Sequence, residues 1–360
     1  MKALNIHAGP RARAWLRERG LKPRDVRVVP GAAGGPKALV LTALDRLLLA
    51  QWLPQGGHTV HLIGASVGAW RMGLACLSNA DAAFARWAHD YVNQDYPHEP
   101  RRPPPPAVVS SIFGDRLRDH FAGREADVLN HPHYRVHVIT SRGRHILQRD
   151  GARGSRFTTP LGYLGAAVTN AANRRAMGAW LERVVFSDAR DALPIPLDDF
   201  RTVRAHLSKD NLRASILASC TVPFWLESVR DIPGGPRGAY WDGGITDYHL
   251  HLRYAAMSDA LVLYPHFQPR VIPGWLDKGL KHRHRASPWL DNLVLLSPSR
   301  QWIDSLPARK LPDRGDFKAY QHDHAARKAA WQRAVDEGQR MADEMAGLLE
   351  RDSIEADPLA

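Results

Sequence analysis

Cysteine is scarce in this chain of 360 residues: Cys76 and Cys220 are the only two. Two thiols cannot frame a disulfide scaffold, which leaves a fold held by its hydrophobic core and fits a reducing compartment. Long apolar runs are also lacking. No segment approaches the ~20 consecutive apolar residues of a membrane-spanning helix, so none is expected to cross a bilayer. The stretch from Met1 to Pro10 does not run into an apolar core with a small-residue cleavage site, and no secretory leader is expected. These absences predict a soluble, cytoplasmic protein. Zinc-finger, RNP and heptad-plus-basic patterns are missing and the arginines are dispersed, so nucleic acid is not expected as a partner. No internal repeat is present.

What the chain does have is an ordinary globular composition, 44% hydrophobic and 24% charged, with enough length to bury a substantial core. Its 49 Lys and Arg against 37 Asp and Glu give a net charge of +12. That excess favours anionic surfaces and allows peripheral contact with an anionic membrane. Short β-branched runs at 25–29, 58–63, 135–140, 183–186, 260–264 and 292–296 alternate with helical patterns at 11–20, 39–48, 69–77, 81–91, 164–180 and 212–219. Strands alternating with helices predict an α/β fold whose central, mostly parallel sheet is covered on both faces.

Within that pattern Gly64-Ala65-Ser66-Val67-Gly68 is a GxSxG pentapeptide between a strand and a helix. A serine on such a tight turn stands clear of the sheet edge, Gly64 and Gly68 leave room for the turn, and the following helix directs its amide dipoles at developing negative charge. The chemistry this favours is acyl transfer. Upstream, a strand runs into Pro30-Gly31-Ala32-Ala33-Gly34-Gly35-Pro36-Lys37 and then a helix, an anion-binding layout. It is not a nucleotide loop. Pro36 and Ala38 flank Lys37 where a Walker A motif needs Gly and Ser or Thr, Pro36 has no amide hydrogen to donate, and no GxGxxG spacing occurs. Far downstream, Tyr240-Trp241-Asp242-Gly243-Gly244 sets a carboxylate beside bare backbone, an arrangement that by itself also suits an ordinary turn.

Taken in order, these motifs resemble the patatin-like phospholipase family. Ala33-Gly34-Gly35-Pro36-Lys37-Ala38 is similar to that family's glycine-rich oxyanion loop, Gly64 to Gly68 to its elbow, and Asp242-Gly243-Gly244 to its D-G-G motif. Ala218-Ser219-Cys220-Thr221-Val222-Pro223-Phe224 resembles the A-S-x-x-x-P stretch that precedes that motif. The resemblance covers about residues 26–250. It implies a three-layer α/β/α domain over 1–310 with a helical C-terminal extension over 311–360, and a catalytic dyad of Ser66 and Asp242 without an intervening histidine. Gly34 and Gly35 would supply the oxyanion hole, supported by Lys37, Gly64, Gly68, Gly243 and Gly244. Lys37 stands where the family usually has arginine, and lysine makes no planar two-pronged contact. Tyr248 and Leu250 replace the Asn and Pro often found there.

The implied activity is hydrolysis of carboxylic esters in phospholipids or related lipids through an acyl-enzyme on Ser66, with Asp242 as base and no metal or organic cofactor. A thioesterase, an acyltransferase, a short-ester esterase and a catalytically silent lipid-binding protein are the alternatives on the same site. His249 or His251, which follow Asp242 closely, would give an ordinary triad instead. His131 and His133, His249 and His251, His282 and His284, and His322 and His324 are each one residue apart, but none of these pairs has a third ligand of clear spacing, so no metal site is expected. The proline-rich run from Pro97 to Pro106 reads as a stiff surface loop. Apolar residues at helical spacing from Asp316 to Glu350 predict an amphipathic helix packed on the domain.

Overall fold

The structure, a computed structural model, describes residues 1–97, 104–149 and 155–360. Its strands are β1 (Leu4–Ala8), β2 (Val26–Gly31), β3 (Val60–Ala65), β4 (Tyr134–Gly143), β5 (Leu181–Ser187), β6 (Thr202–His206), β7 (Val229–Arg230), β8 (Ala239–Trp241), β9 (Leu261–Pro265), β10 (Leu293–Pro298) and β11 (Asp357–Pro358). They join in one sheet of order β11-β1-β10-β9-β2-β3-β4-β5-β6, with β8 pairing β4 and β7 pairing β8. The stretch β10-β9-β2-β3-β4 is parallel throughout, while β1–β10, β4–β5 and the β8 pairings are antiparallel.

The central strands are buried on both faces and mostly apolar, as a parallel sheet covered by helices requires. Every residue of β3, β9 and β10 is buried. Strand periodicity divides neighbours between two cores: Leu62, Val138 and Val184 pack with Phe84, Trp87 and Phe121 on one side. Ile63, Ile139 and Val185 pack with Tyr248, Tyr254 and Tyr264 on the other. The result is a mixed, mostly parallel sheet between helical layers, an α/β/α fold.

The C-terminal region is helical. His324–Glu337 and Gln339–Leu349 place Trp331, Met341 and Met345 in the first core. Glu344 accepts hydrogen bonds from the amides of Ala3 and Leu4 at 2.6 and 2.8 Å, and β11 pairs with β1, so the two chain ends share one sheet edge.

Two local expectations change. The helix expected over 164–180 begins earlier, as Ser155–Ala172, and ends at Asn173, whose extended backbone and side-chain bond to the amide of Arg175 start a separate 3₁₀ turn over Arg174–Ala179. Of the proline run, residues 98–103 lie outside the described residues, and its last member opens the helix Pro106–Phe121, where a missing amide hydrogen costs nothing. The strands β7, β8 and β11, two or three residues long, carry too few alternating residues to stand out from loops in the sequence, and β1 and β6 add two five-residue strands to the expected set.

Candidate active site

Ser66 occupies the step between β3 and the helix Val67–Leu74 with φ 56° and ψ −133°, a conformation that a non-glycine residue adopts only when its surroundings impose it. The surroundings are specific. The amide of Ser66 donates to Ser219 Oγ at 2.8 Å, and that hydroxyl donates onward to the carbonyl of Ile139 on β4 at 2.6 Å. A Cβ at Gly68 would stand 1.9 Å from the carbonyl oxygen of Gly31, and one at Gly64 would stand 2.5 Å from the backbone of Ala69. The glycine-rich loop and the elbow helix therefore pack backbone to backbone. A buried bidentate pair, Arg71 to Asp45 at 2.6 Å for both bonds, ties the elbow helix to the helical stretch that follows the loop.

Asp242 follows β8, which runs antiparallel beside β4 and so brings the carboxylate to the elbow. Its amide donates to the carbonyl of Thr221 at 2.8 Å. Its Oδ2 accepts the Ser66 hydroxyl at 2.7 Å, and its Oδ1 accepts the amide of Gly244 at 2.7 Å. Gly243 and Gly244 allow close packing: a Cβ would stand 2.1 Å from the carbonyl oxygen of Ile139 in the first case and 2.6 Å from Cβ of Ala33 in the second. Beneath this turn the buried Arg183 of β5 donates to both oxygens of Asp247, at 2.7 and 2.5 Å, and also to Asp199. The three sequence motifs thus meet at one point through Gly31 on Gly68, Ala33 on Gly244, and Ser66 on Asp242.

Ser66 and Asp242 are 4% and 6% exposed. Burial raises the Asp242 pKa above the usual carboxylate value, against the opposing pull of the Ser66 hydroxyl and the positive charge of Arg314. Such a carboxylate is a stronger proton acceptor than an exposed one. Gly34 lies against the ring of Phe267, and Gly35 at φ +56° faces the side chain of Arg314, whose Nε would be 3.4 Å from a Cβ built there. No acceptor within the fold takes the amide hydrogens of Gly34 and Gly35 among the described residues.

Of the cations around this point, Lys37 was expected as a support of the loop, while Lys278 and Arg314 were missed by sequence reasoning. Lys37, Lys278 and Arg314 have no carboxylate within ion-pair distance among the described residues. Lys37 is desolvated, which lowers its pKa, and its Nζ lies 5.4 Å from the Phe267 ring centroid. Lys278 sits 4.1 Å from the Tyr248 ring centroid; desolvation, aided by the charges of Lys37 and Arg314, brings its pKa down to about 8. Arg314 comes from the C-terminal region, and nothing in its local sequence points to the glycine loop. Ser219 had a signal, its place in the Ala218–Phe224 stretch.

The histidines go elsewhere. His249 is buried against the rings of Tyr248 and His266, its Nδ1 accepts from the amide of Ile272 at 3.1 Å, and burial holds its pKa well below the ordinary value. His251 Nε2 lies 3.1 Å from Ser287 Oγ. Neither ring is hydrogen-bonded to Ser66 or Asp242. No group of three metal-ligating side chains occurs among the described residues. Cys76 and Cys220 are buried and unpaired, and burial raises both thiol pKa values, which suppresses thiolate reactivity.

No protein-family model matches this chain, and no curated protein matches it in sequence. Among solved structures, human GIVD cytosolic phospholipase A2 aligns over 92% of this chain and 61% of that one, at 12% identity and a TM-score of 0.29. The chain therefore spans less than two thirds of that protein, and a likeness of this degree decides neither fold nor chemistry.

Proposed function

We propose that the protein is a serine acyl hydrolase of the patatin-like kind, acting on carboxylic esters of phospholipids or related lipids. The observation that carries this is the 2.7 Å hydrogen bond from Ser66 to Asp242, made on a strained elbow with no histidine between the two. As Ser66 Oγ attacks the ester carbonyl carbon, Asp242 Oδ2 takes the hydroxyl proton, and the raised pKa of the buried carboxylate suits it to that transfer. The unpaired amides of Gly34 and Gly35 receive the oxyanion, and Arg314 adds positive charge beside Gly35. Collapse of the tetrahedral intermediate returns the proton from Asp242 to the leaving alkoxide and leaves the acyl group on Ser66. Water, deprotonated by Asp242, then releases the fatty acid and restores the hydroxyl. In this reading residues 1–310 carry the dyad and the oxyanion loop, and 311–360 supply Arg314 and the covering helices. Lys37, Lys278 and Arg314 give the site a cationic wall for an anionic substrate.

The test is fluorophosphonate labelling with peptide mapping on the wild type, Ser66→Ala, Asp242→Asn and the His249→Ala/His251→Ala pair, with thermal melts to establish folding. Labelling on Ser66 that is lost with Asp242→Asn and kept without the histidines is the expected result. Labelling that depends on a histidine would replace the dyad with a triad, and none at all on folded protein would favour a binding role. Turnover of phospholipid, a p-nitrophenyl ester and acyl-CoA then separates a lipase from an esterase or thioesterase.

A further inference from the structure

The helix Ser155–Ala172 contains no Asp, Glu, Lys or Arg from Phe157 to its end. One side of it is committed to the protein. Tyr163 meets the edges of Trp241 and Phe224 with ring centroids 6.2 and 5.7 Å apart, Ala166 is fully buried, and a Cβ at Gly165 would stand 2.4 Å from the Trp180 ring. The other side carries Leu161, Leu164 and Val168, which are 60%, 61% and 62% exposed. At spacings of three and four these side chains form a single line along the helix. A solvent-facing helix surface is ordinarily charged or polar, so this stripe points to a partner.

The same neighbourhood holds the other exposed apolar groups. Apart from Met1, the large apolar side chains exposed to solvent among the described residues are this stripe together with Phe224, Trp225 and Trp275. Phe224 touches Tyr163 of the helix, and Asn170 of the helix donates to Asp277, two residues beyond Trp275, at 2.8 Å. Positive charge borders the stripe. After Asp277 come Lys278, Lys281, Arg283 and Arg285 with no acid until Asp291. Arg283 donates to the carbonyls of Asn170 and Ala171 at 2.8 and 3.2 Å, which pins this basic segment to the C-terminal end of the helix and leaves Lys281 and Arg285 exposed.

From this geometry we infer that the outer face of Ser155–Ala172, with Trp225, Trp275 and the Lys281–Arg285 segment, docks on an anionic lipid surface. An aliphatic line with tryptophans beside it and lysine and arginine at its border matches the interface of a bilayer, where aliphatic groups enter the acyl region and cations meet acidic headgroups. A second copy of this chain would bring two molecules of net charge +12 together through faces bordered by lysine and arginine, which disfavours it as the occupant. The purpose of the surface rests on the lipid hydrolase reading. Tyr163 leans on Trp241, the residue before Asp242, and Phe224 and Trp225 follow Thr221, which holds the Asp242 amide. Docking by this face sets the Ser66–Asp242 dyad beside the bilayer.

The experiment is cosedimentation of the full chain with vesicles of phosphatidylcholine alone and of phosphatidylcholine with an equal amount of phosphatidylglycerol, at low and high salt. The wild type should bind the anionic vesicles more tightly and lose part of that binding in high salt. Each of Leu161→Ser, Leu164→Ser and Val168→Ser should weaken binding about tenfold. Lys281→Gln and Arg285→Gln, far from any core, should weaken it about fivefold each on anionic vesicles only. A water-soluble fluorophosphonate reports the dyad separately, and all these variants should label Ser66 as the wild type does. Vesicle binding without labelling would sink the hydrolase reading and leave the surface standing. Labelling without vesicle binding, or equal binding by the serine and glutamine variants and the wild type, would overturn the docking surface. So would sedimentation velocity showing a wild-type dimer that Leu164→Ser makes monomeric.

Discussion

Two helices poor in charge end in opposite environments. Every residue of Val67–Leu74 is buried, including Arg71, whose guanidinium is matched by Asp45. Ser155–Ala172 buries one side and holds Leu161, Leu164 and Val168 in solvent. Apolar content therefore tells that a helix face leaves water, and only its neighbours decide whether protein or another phase receives it. The first helix sits between the sheet and the helix Leu212–Cys220, so its job is to hold Ser66 rigidly. The second has protein beneath it alone.

The comparison breaks most sharply at the elbow. Ser66→Ala should abolish fluorophosphonate labelling, and Asp242→Asn should slow it by about 10²- to 10⁴-fold, the usual worth of a positioned base. Because burial raises the Asp242 pKa, ionisation of this carboxylate opposes folding at pH values above its folded pKa. Its neutral replacement should then leave the melting temperature at pH 7 unchanged or raised. A wild-type labelling rate in Asp242→Asn would remove the carboxylate from the mechanism.

Next in size is Arg71→Met, which strands Asp45 in the core beneath the elbow helix. Urea denaturation should show a loss of about 3–5 kcal/mol, as for other buried pairs broken on one side. A loss under about 1 kcal/mol would mean that the pair is not what anchors the helix.

Smaller effects belong to the cations. Arg314 and Lys278 both lower the Asp242 pKa, with Arg314 the stronger influence. Arg314→Met should move the acid limb of the kcat/KM profile to higher pH, and Lys278→Met should move it the same way by less. A limb that stays in place, or moves down, would separate these residues from the dyad.

The smallest effect is expected on the second helix. Leu164→Ser should change folding stability by no more than about 0.5 kcal/mol, since the side chain already faces water. A larger loss would mean that the stripe is packed after all, and the contrast with Val67–Leu74 would disappear.

Much of the fold is legible in the sequence. The runs at 58–63, 260–264 and 292–296 became buried parallel strands because β-branched and aliphatic residues bounded by glycine and polar turns have few other conformations open to them. β8 was not legible: three residues, Ala239–Trp241, give no period, and the pairing of Trp241 with Ser141 is what makes them a strand. Lys278 and Arg314 were equally hidden. Each lies in a stretch whose local pattern is ordinary, and their relation to Asp242 is electrostatic across the fold.

What the sequence determined by itself was local. Gly64 and Gly68 around Ser66, the Asp-Gly-Gly turn, and strands alternating with helices follow from steric and periodic rules that act over a few residues. Tertiary structure decided what lies next to what: Asp242 Oδ2 at 2.7 Å from Ser66, Arg314 over Gly35, His249 turned away into its own cluster, and Leu164 left facing water. Burial, pKa and proximity belong to an environment assembled from distant segments, and no short window of the chain contains that environment.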